Sequence, residues 1–294
     1  MKMLNPKTDA MTLSQLRHTL IETLAAALDR DEAEATARII LEDAAGYTPL
    51  DVALHAQREL EDFTCERLLD MARRVAELDE PVQYVTGHAR FCGLDLHVTP
   101  DVLIPRPETE GLVDRIVDKY RDRRDLRVLD LCTGSGCIAI ALARALPFCR
   151  VTAVDISAPA LEVARNNAGR LGVRNIVFVQ ADALHMVAPA PGSYDIIVSN
   201  PPYVADSERD NMSDRVLLYE PAQALFVPDA DPMRFYRPIA AYASGALVPG
   251  GSLWFEINSL YDAEVRATMQ EAGFADVDVE LDFYSRPRYA SAAK

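Results

Sequence analysis

The residues DLCTGSGCIA, positions 130–139, decide the fold. An apolar run, RVLDLC (127–132), leads into them, a helical run, CIAIALARAL (137–146), leads out, and Gly134 and Gly136 lie at the turn between. A strand that passes through glycines into a helix brings backbone close to a ligand and faces it with helix N-terminal amides, which suits a nucleotide-like cofactor. Outward from this turn the alternation repeats. RVTAVD, NIVFVQ, YDIIVS and SLWFEI read as strands, with APALEVARNNAGRLG, a helix near 233–246 and DAEVRATMQEAGF among them, and a last strand pair falls around VDVEL and RYASA. ETEGLVDRIVDKY, after Pro107, reads as a helix ahead of the first strand. Such alternation predicts a mostly parallel sheet covered by helices on both faces.

The first third has another period. Leu13, Leu16, Leu20, Leu24 and Leu28 recur near 3.6 residues, and Ile39, Ile40 and Ala44 continue the pattern in a second segment. Thr48-Pro49-Leu50-Asp51 has the cap, the first-turn proline and the carboxylate of a helix start, and a fourth helix around 65–78 stops before Pro81. Residues 1–80 therefore predict a small helical bundle. Residues 82–105, rich in β-branched and aromatic side chains with glycines at 87 and 93, predict a β-hairpin linker spanning 81–107, and 108–294 form the α/β domain.

At 294 residues the chain is long enough for two domains, and its formal net charge of -15 argues against affinity resting on many neutralised phosphates. No stable nucleic-acid binding is expected. No apolar run approaches the roughly eighteen residues of a membrane span, and MKMLNPKTDAM lacks the apolar core of a signal peptide, so the expected compartment is the cytoplasm, without membrane association. Cys65, Cys92, Cys132, Cys137 and Cys149 fit neither zinc-ligand nor disulfide spacing and read as reduced, structural thiols. The histidines at 18, 55, 88, 97 and 185 are scattered, and no metal is expected.

Successive strands end in Asp130, Asp155, Asp182 and Asn200, bringing four polar groups to the carboxyl edge of one sheet, the usual ligand crevice of this architecture. Gly134-Ser135-Gly136-Cys137-Ile138-Ala139 formally matches a dinucleotide fingerprint, with Asp155 suitably distant for a ribose, so a dehydrogenase stays open. Three features pull away from it. Asp130 lies inside the strand, where a carboxylate suits a cationic amino-acid moiety. Asp182, in VQAD, suits an adenine amino group, and the next strand stops in Asn200-Pro201-Pro202-Tyr203, for which a dinucleotide enzyme has no need.

The ordered set IPRPETE (104–110), DLCTGSGCIAIALA (130–143), AVDIS (153–157), IIVSNPPYV (196–204), YEP (219–221), VPGG (248–251) and SRPR (285–288) resembles the class I S-adenosylmethionine-dependent methyltransferases. Within them it is most similar to the HemK-like glutamine methyltransferases of peptide chain release factors. The resemblance implies a Rossmann-like, seven-stranded, mostly parallel sheet with an N-terminal helical bundle. It also implies S-adenosylmethionine as cofactor, S-adenosylhomocysteine as its product, and class 1 release factors as the protein substrate, gripped by the helical domain of a monomer. It assigns Asp130, Cys132, Thr133, Gly134, Ser135, Gly136, Asp155, Asp182, Ala183 and Asn200 to the cofactor, and Asn200, Pro201, Pro202 and Tyr203 to substrate binding and transfer. Three departures stand out. Cys132 replaces a usual glycine, Ala183 a usually bulky residue, and ALFVPDADPMRFY follows YEP where a glycine-rich segment is common.

The chemistry fits the motif. A primary amide nitrogen is a poor nucleophile because its lone pair is delocalised, so it must be held in line and turned out of conjugation. The Asn200 oxygen and the Pro201 carbonyl each suit one N–H of such an amide, and the prolines remove backbone freedom. Related enzymes that methylate adenine amino groups, or a glutamine of a large-subunit ribosomal protein, share the motif. The acidic charge weighs against the first, PRPETE and SRPR against the second. A cofactor-binding protein without turnover is the reading from another class.

Overall fold

The computed structural model describes residues 10–187 and 190–294. By contacts they fall into two units, 10–88 with Asp214–Tyr219, and Ala89–Ser213 with Glu220–Lys294.

The helical unit is built from α1 (Leu13–Leu24), α2 (Arg30–Ala45), α3 (Pro49–Leu54), α4 (Asp62–Leu78) and α5 (Val82–Thr86). Thr12 caps α1 in a reciprocal box, its hydroxyl accepting from Gln15 N while the Gln15 side chain accepts from Thr12 N, so two end amides are satisfied at once. The apolar period then buries Leu13, Leu16, Leu20 and Leu24 against Ile40, Leu41, Leu68 and Val75 of α2 and α4. Thr48 and Asp51 form a second such box at α3. Residues 82–86 depart from the expected linker strand by forming α5. Gly87 ends it at φ 77°, and Val82, Tyr84 and Val85 are buried, so tertiary packing outweighs their β preference.

A sixth segment joins this unit from far along the chain. Helix Asp214–Tyr219 pairs Arg215 with Asp79 at 2.7 Å and Glu32 at 3.2 Å, and the Tyr219 hydroxyl donates to Leu78 O at 2.6 Å. Its short LLY run gives no sequence signal for that partner.

The second unit opens with a hairpin, β1 (His88–Phe91) and β2 (Leu94–His97), then α6 (Pro107–Tyr120). The sheet is formed by β3 (Arg127–Leu131), β4 (Arg150–Asp155), β5 (Ile176–Gln180), β6 (Tyr194–Ser199) and three later strands. A short parallel ladder of β7 (Val204–Ala205) and β8 (Phe226–Val227) intervenes, with α9, the Asp214–Tyr219 helix, between them in sequence. Then come β9 (Leu247–Glu256), β10 (Val277–Leu281) and β11 (Pro287–Ala293). The helices of this unit are α7 (Cys137–Ala145), α8 (Ala158–Arg170), α10 (Tyr236–Ala246) and α11 (Asp262–Glu271).

Strand order is β10-β11-β9-β6-β3-β4-β5; β11 runs antiparallel to both its neighbours, so β10 shares the direction of β9, β6, β3, β4 and β5, and six of the seven strands point one way. The expected seven-stranded, mostly parallel α/β sheet is thus observed. The pleat sorts side chains strictly: Val128, Ile196, Val198 and Trp254 pack on the face covered by α6 and α7, while Leu129, Ile197, Leu253 and Phe255 face α10. Order reverses between β3 and β6, which opens a crevice at their carboxyl ends. On α6, a side chain at Gly111 has no room, because a Cβ there would lie 2.9 Å from Cζ of the buried Tyr289.

Candidate active site

A cavity of about 450 Å³ occupies this crevice, within the range typical of small-molecule sites. Its walls include Cys132, Thr133, Gly134 and Ser135 of the glycine turn, Asp155, Asp182 and Ala183 of the next strand ends, and Asn200 and Pro202. Asp130, Gly136, Pro201 and Tyr203 do not line it.

The glycine turn has its reasons in sequence. Gly134 and Gly136 sit at φ 54° and 80°, and a Cβ on Gly136 would press Ala164 Cβ at 3.1 Å. Asn167 of α8 supports the turn from behind, its Nδ2 donating to Ser135 O at 3.0 Å and to His97 O at 2.9 Å. Cys132 is also left-handed, at φ 60°, where a side chain carries strain, so the glycine usual in the family has a backbone reason. Burial pushes its thiol well up, against any thiolate role. Cys137 and Cys92 are pushed up to about 12 by the same cause.

The pleat settles where each strand-end carboxylate points. Asp130 is even-numbered like Val128 and turns under α7, fully buried, its Oδ2 accepting from Thr133 Oγ1 at 2.6 Å and Ala139 N at 3.2 Å. Burial raises its carboxyl to about 7 against those two bonds. It braces the turn from below instead of lining the cavity. Asp155 accepts from Gly134 N at 2.8 Å and Ser157 N at 2.9 Å, one bond on each oxygen, and burial raises its pKa against them. For Asp182, burial alone would raise the pKa, but the Leu184 amide and His185 outweigh it and hold the carboxyl low. Both Asp182 oxygens are already engaged, by Leu184 N at 2.9 Å and His185 Nδ1 at 2.7 Å.

Asn200 follows the end of β6. Its Nδ2 donates to Thr109 Oγ1 of α6 at 3.2 Å, and Thr109 in turn donates to Glu256 Oε2 at 2.6 Å. The Tyr203 hydroxyl donates to the other oxygen of Glu256 at 3.1 Å. Glu256, 1 % exposed at the end of β9, thereby ties down both ends of the Asn-Pro-Pro-Tyr turn. Burial raises its pKa, opposed by the Thr109 hydroxyl, the Arg288 charge and the Tyr203 hydroxyl. Among the described residues, the buried side-chain oxygens without a hydrogen-bond partner are Asp130 Oδ1, Ser135 Oγ and Asn200 Oδ1, all at this site.

Two sequence motifs meet in one ion pair. Glu220, of YEP, accepts from Arg106 Nη2 of IPRPETE at 2.5 Å and from Ile104 N at 3.2 Å, holding the cavity wall at Pro105 and Arg106. Sequence reasoning missed Thr109, Glu220 and Glu256 as site residues. Glu256 had a signal, since it is a lone carboxylate near the end of the apolar run SLWFEI, as Asp130, Asp155, Asp182 and Asn200 are polar residues near the ends of theirs. The atypical segment after YEP contributes Ala224, Phe226, Arg234 and Phe235 to the cavity, next to Gln223 just before it.

Residues 15–87 match the family described as PrmC N-terminal domain, and residues 109–227 the one described as Methyltransferase small domain. The release factor glutamine methyltransferase of Bacteroides thetaiotaomicron is 42 % identical, the match covering 89 % of this chain and 93 % of that protein. The protein of the same name from Flavobacterium psychrophilum is 37 % identical, over 95 % and 98 %. This chain belongs to the release factor glutamine methyltransferases. As a member of that family it carries the methyltransferase fold. The 16S rRNA N2 G1207 methyltransferase of Thermus thermophilus, solved with AdoMet and guanosine, superposes with a TM-score of 0.50 over 70 % of this chain and 49 % of that one at 20 % identity. In this release factor glutamine methyltransferase no described helix is long and apolar enough to cross a membrane.

Proposed function

We infer that this protein transfers a methyl group from S-adenosylmethionine to the side-chain amide nitrogen of the glutamine in the Gly-Gly-Gln motif of class 1 release factors, in the cytoplasm. The observation that carries the reading is Asn200 Oδ1, a buried acceptor without a partner at the wall of a glycine-turn cavity. The cavity suits the cofactor. The glycine turn offers close backbone approach, each Asp155 oxygen keeps a lone pair for a ribose hydroxyl, and Ser135 Oγ is a second unpartnered polar atom beside it. Asp182 and Ala183 are assigned to the adenine edge, with the backbone as the main contact because both Asp182 oxygens are engaged.

S-adenosylmethionine supplies a methyl group on a positively charged sulfur. Asn200 Oδ1 takes one N–H of the glutamine amide and the Pro201 carbonyl the other, which aims the nitrogen at that methyl. With the cofactor bound in the cavity, bond formation from nitrogen to the methyl carbon would leave the bonding pair on sulfur, and one amide proton would leave to water. A nitrogen becomes acidic as its bond to carbon forms, so a strong base is not needed, and catalysis is positioning plus electrostatics. We assign the grip on the release factor to the helical unit, whose Leu50, Leu54 and Phe63 are exposed.

The test is incubation with methyl-labelled cofactor and purified release factor, ribosomal proteins and DNA in parallel, with the methyl located by mass spectrometry. The expected product is release factor carrying one methyl on the motif glutamine. Label on ribosomal protein or DNA, with none on release factor, overturns the reading.

A further inference from the structure

We propose that Glu256 and Thr109 fix which way the Asn200 amide faces, making position 200 an acceptor toward the substrate; the inference rests on the methyl-transfer reading above. A side-chain amide has nearly the same shape when its oxygen and nitrogen exchange places, so packing alone does not choose between the two orientations. Only the hydrogen-bond partner does. Asn200 has one, the Thr109 hydroxyl, which carries a single hydrogen.

That hydrogen is committed. Thr109 donates it to Glu256 Oε2 at 2.6 Å, so toward Asn200 it presents only a lone pair, which Nδ2 meets at 3.2 Å. Rotating the amide would set Oδ1 against that lone pair and turn the NH₂ toward the cavity. Glu256 itself offers no hydrogen, since its other oxygen takes the Tyr203 hydroxyl at 3.1 Å. A carboxylate end only accepts, whereas a glutamine of the same shape has two hydrogens to give. This accounts for a buried carboxylate where burial opposes the charge.

The pleat explains why these residues meet. Asn200 and Glu256 continue the even-numbered rows of β6 and β9, Val198 and Trp254, which face α6, and Thr109 lies in the first turn of α6. The relay therefore runs from strand end to helix to strand end along the cavity wall, which Asn200 and Thr109 both line. Its output is Asn200 Oδ1, an acceptor for an amide N–H that a carboxylate substrate does not supply. Glu256 and Thr109 are thus positioning residues that also favour glutamine over glutamate.

The experiment compares wild type, Glu256→Gln, Thr109→Val and Thr109→Ser with intact release factor and with a release factor carrying glutamate at the motif glutamine, used as a competitor. In Glu256→Gln the new NH₂ donates to Thr109, whose hydrogen then turns to Asn200 Oδ1, so the Asn200 NH₂ faces the cavity. The expected result is a kcat about 10²-fold lower in Glu256→Gln and Thr109→Val, with cofactor Kd within about twofold of wild type. Thr109→Ser, which keeps the hydroxyl, restores most of the loss. In Glu256→Gln the preference for the glutamine over the glutamate protein falls at least about tenfold. Wild-type kcat in both Glu256→Gln and Thr109→Val overturns the inference, and so does a loss of kcat with the preference unchanged, which is the mark of a merely structural role. Failure of wild type to methylate the glutamine instead overturns the function reading, and this one with it.

Discussion

The helical unit buries leucines, and among its described residues Thr36 is the buried polar side chain, whereas the α/β unit buries Asp130, Asn167, Glu220, Glu256 and Asn258 near the carboxyl ends of its strands. Buried carboxylates oppose folding unless paired, so their concentration at one sheet edge marks where stability is given up for chemistry. Exposed apolar side chains occur on both units, Leu50, Leu54 and Phe63 on the helical one and Phe148, Leu260 and Phe283 on the other. The units therefore differ in their buried polar groups, which the α/β unit gathers at one edge, where the proposed ligand would sit.

The contrast breaks first at Asn200. Asn200→Ala removes the oriented acceptor and is expected to slow methyl transfer by about 10²–10³-fold while cofactor Kd barely moves, as read from single-turnover rates and calorimetry. Normal turnover would remove the α/β unit's claim to the chemistry. Next comes Asp155→Ala, which takes charged acceptors from Gly134 N and Ser157 N and from the ribose contact proposed above. Loss of such bonds, about 1.5–3 kcal/mol, weakens cofactor binding by roughly 10- to 100-fold in the same calorimetry.

Asp130 sharpens the stability side. Its folded pKa of about 7 lies above the usual 3.8, so between these values the folded state holds a proton that the unfolded chain has lost. Wild type should therefore lose stability as pH rises through that window, with Asp130 contributing up to about 1.4 kcal/mol per pH unit, while Asp130→Asn loses it less steeply because, among the described carboxylates, only Asp155 and Glu256 remain raised. Melting temperatures of cofactor-free protein between pH 5 and 8 check this, and parallel slopes would refute it. Smallest is Phe63→Ser on the helical unit. KM for release factor should rise about fivefold, on the order of 1 kcal/mol, with stability within about 0.5 kcal/mol of wild type. An unchanged KM would free that face of any part in gripping substrate.

The same contrast explains what the sequence disclosed. Leucines at helical spacing and strands alternating with helices announce their own periodicity, so the bundle and the mostly parallel sheet around the glycine turn were legible, though not its strand order. The Asn-Pro-Pro-Tyr turn was legible because proline stops a strand by its chemistry. Residues 82–86 were not, because Val82, Tyr84 and Val85 favour strand locally and only burial makes them helical. Asp130 was half legible: its place at the strand end was plain, but the side of the sheet it faces depends on pairing register, which one strand does not carry. Thr109 and Glu256 meet Asn200 across 91 and 56 residues of chain, and no local pattern encodes such a distance.

Gly111 gives the fold a consequence beyond catalysis. It lies two residues after Thr109 on α6, where any side chain would strike the buried Tyr289 ring. Even alanine there must push the helix off β11 and carry the Thr109 hydroxyl away from Asn200. In a saturation mutagenesis screen scored on methylation, this remote packing position would therefore rank with the residues that touch the substrate. The tolerance of the enzyme to genetic drift is set in part by a missing methyl group.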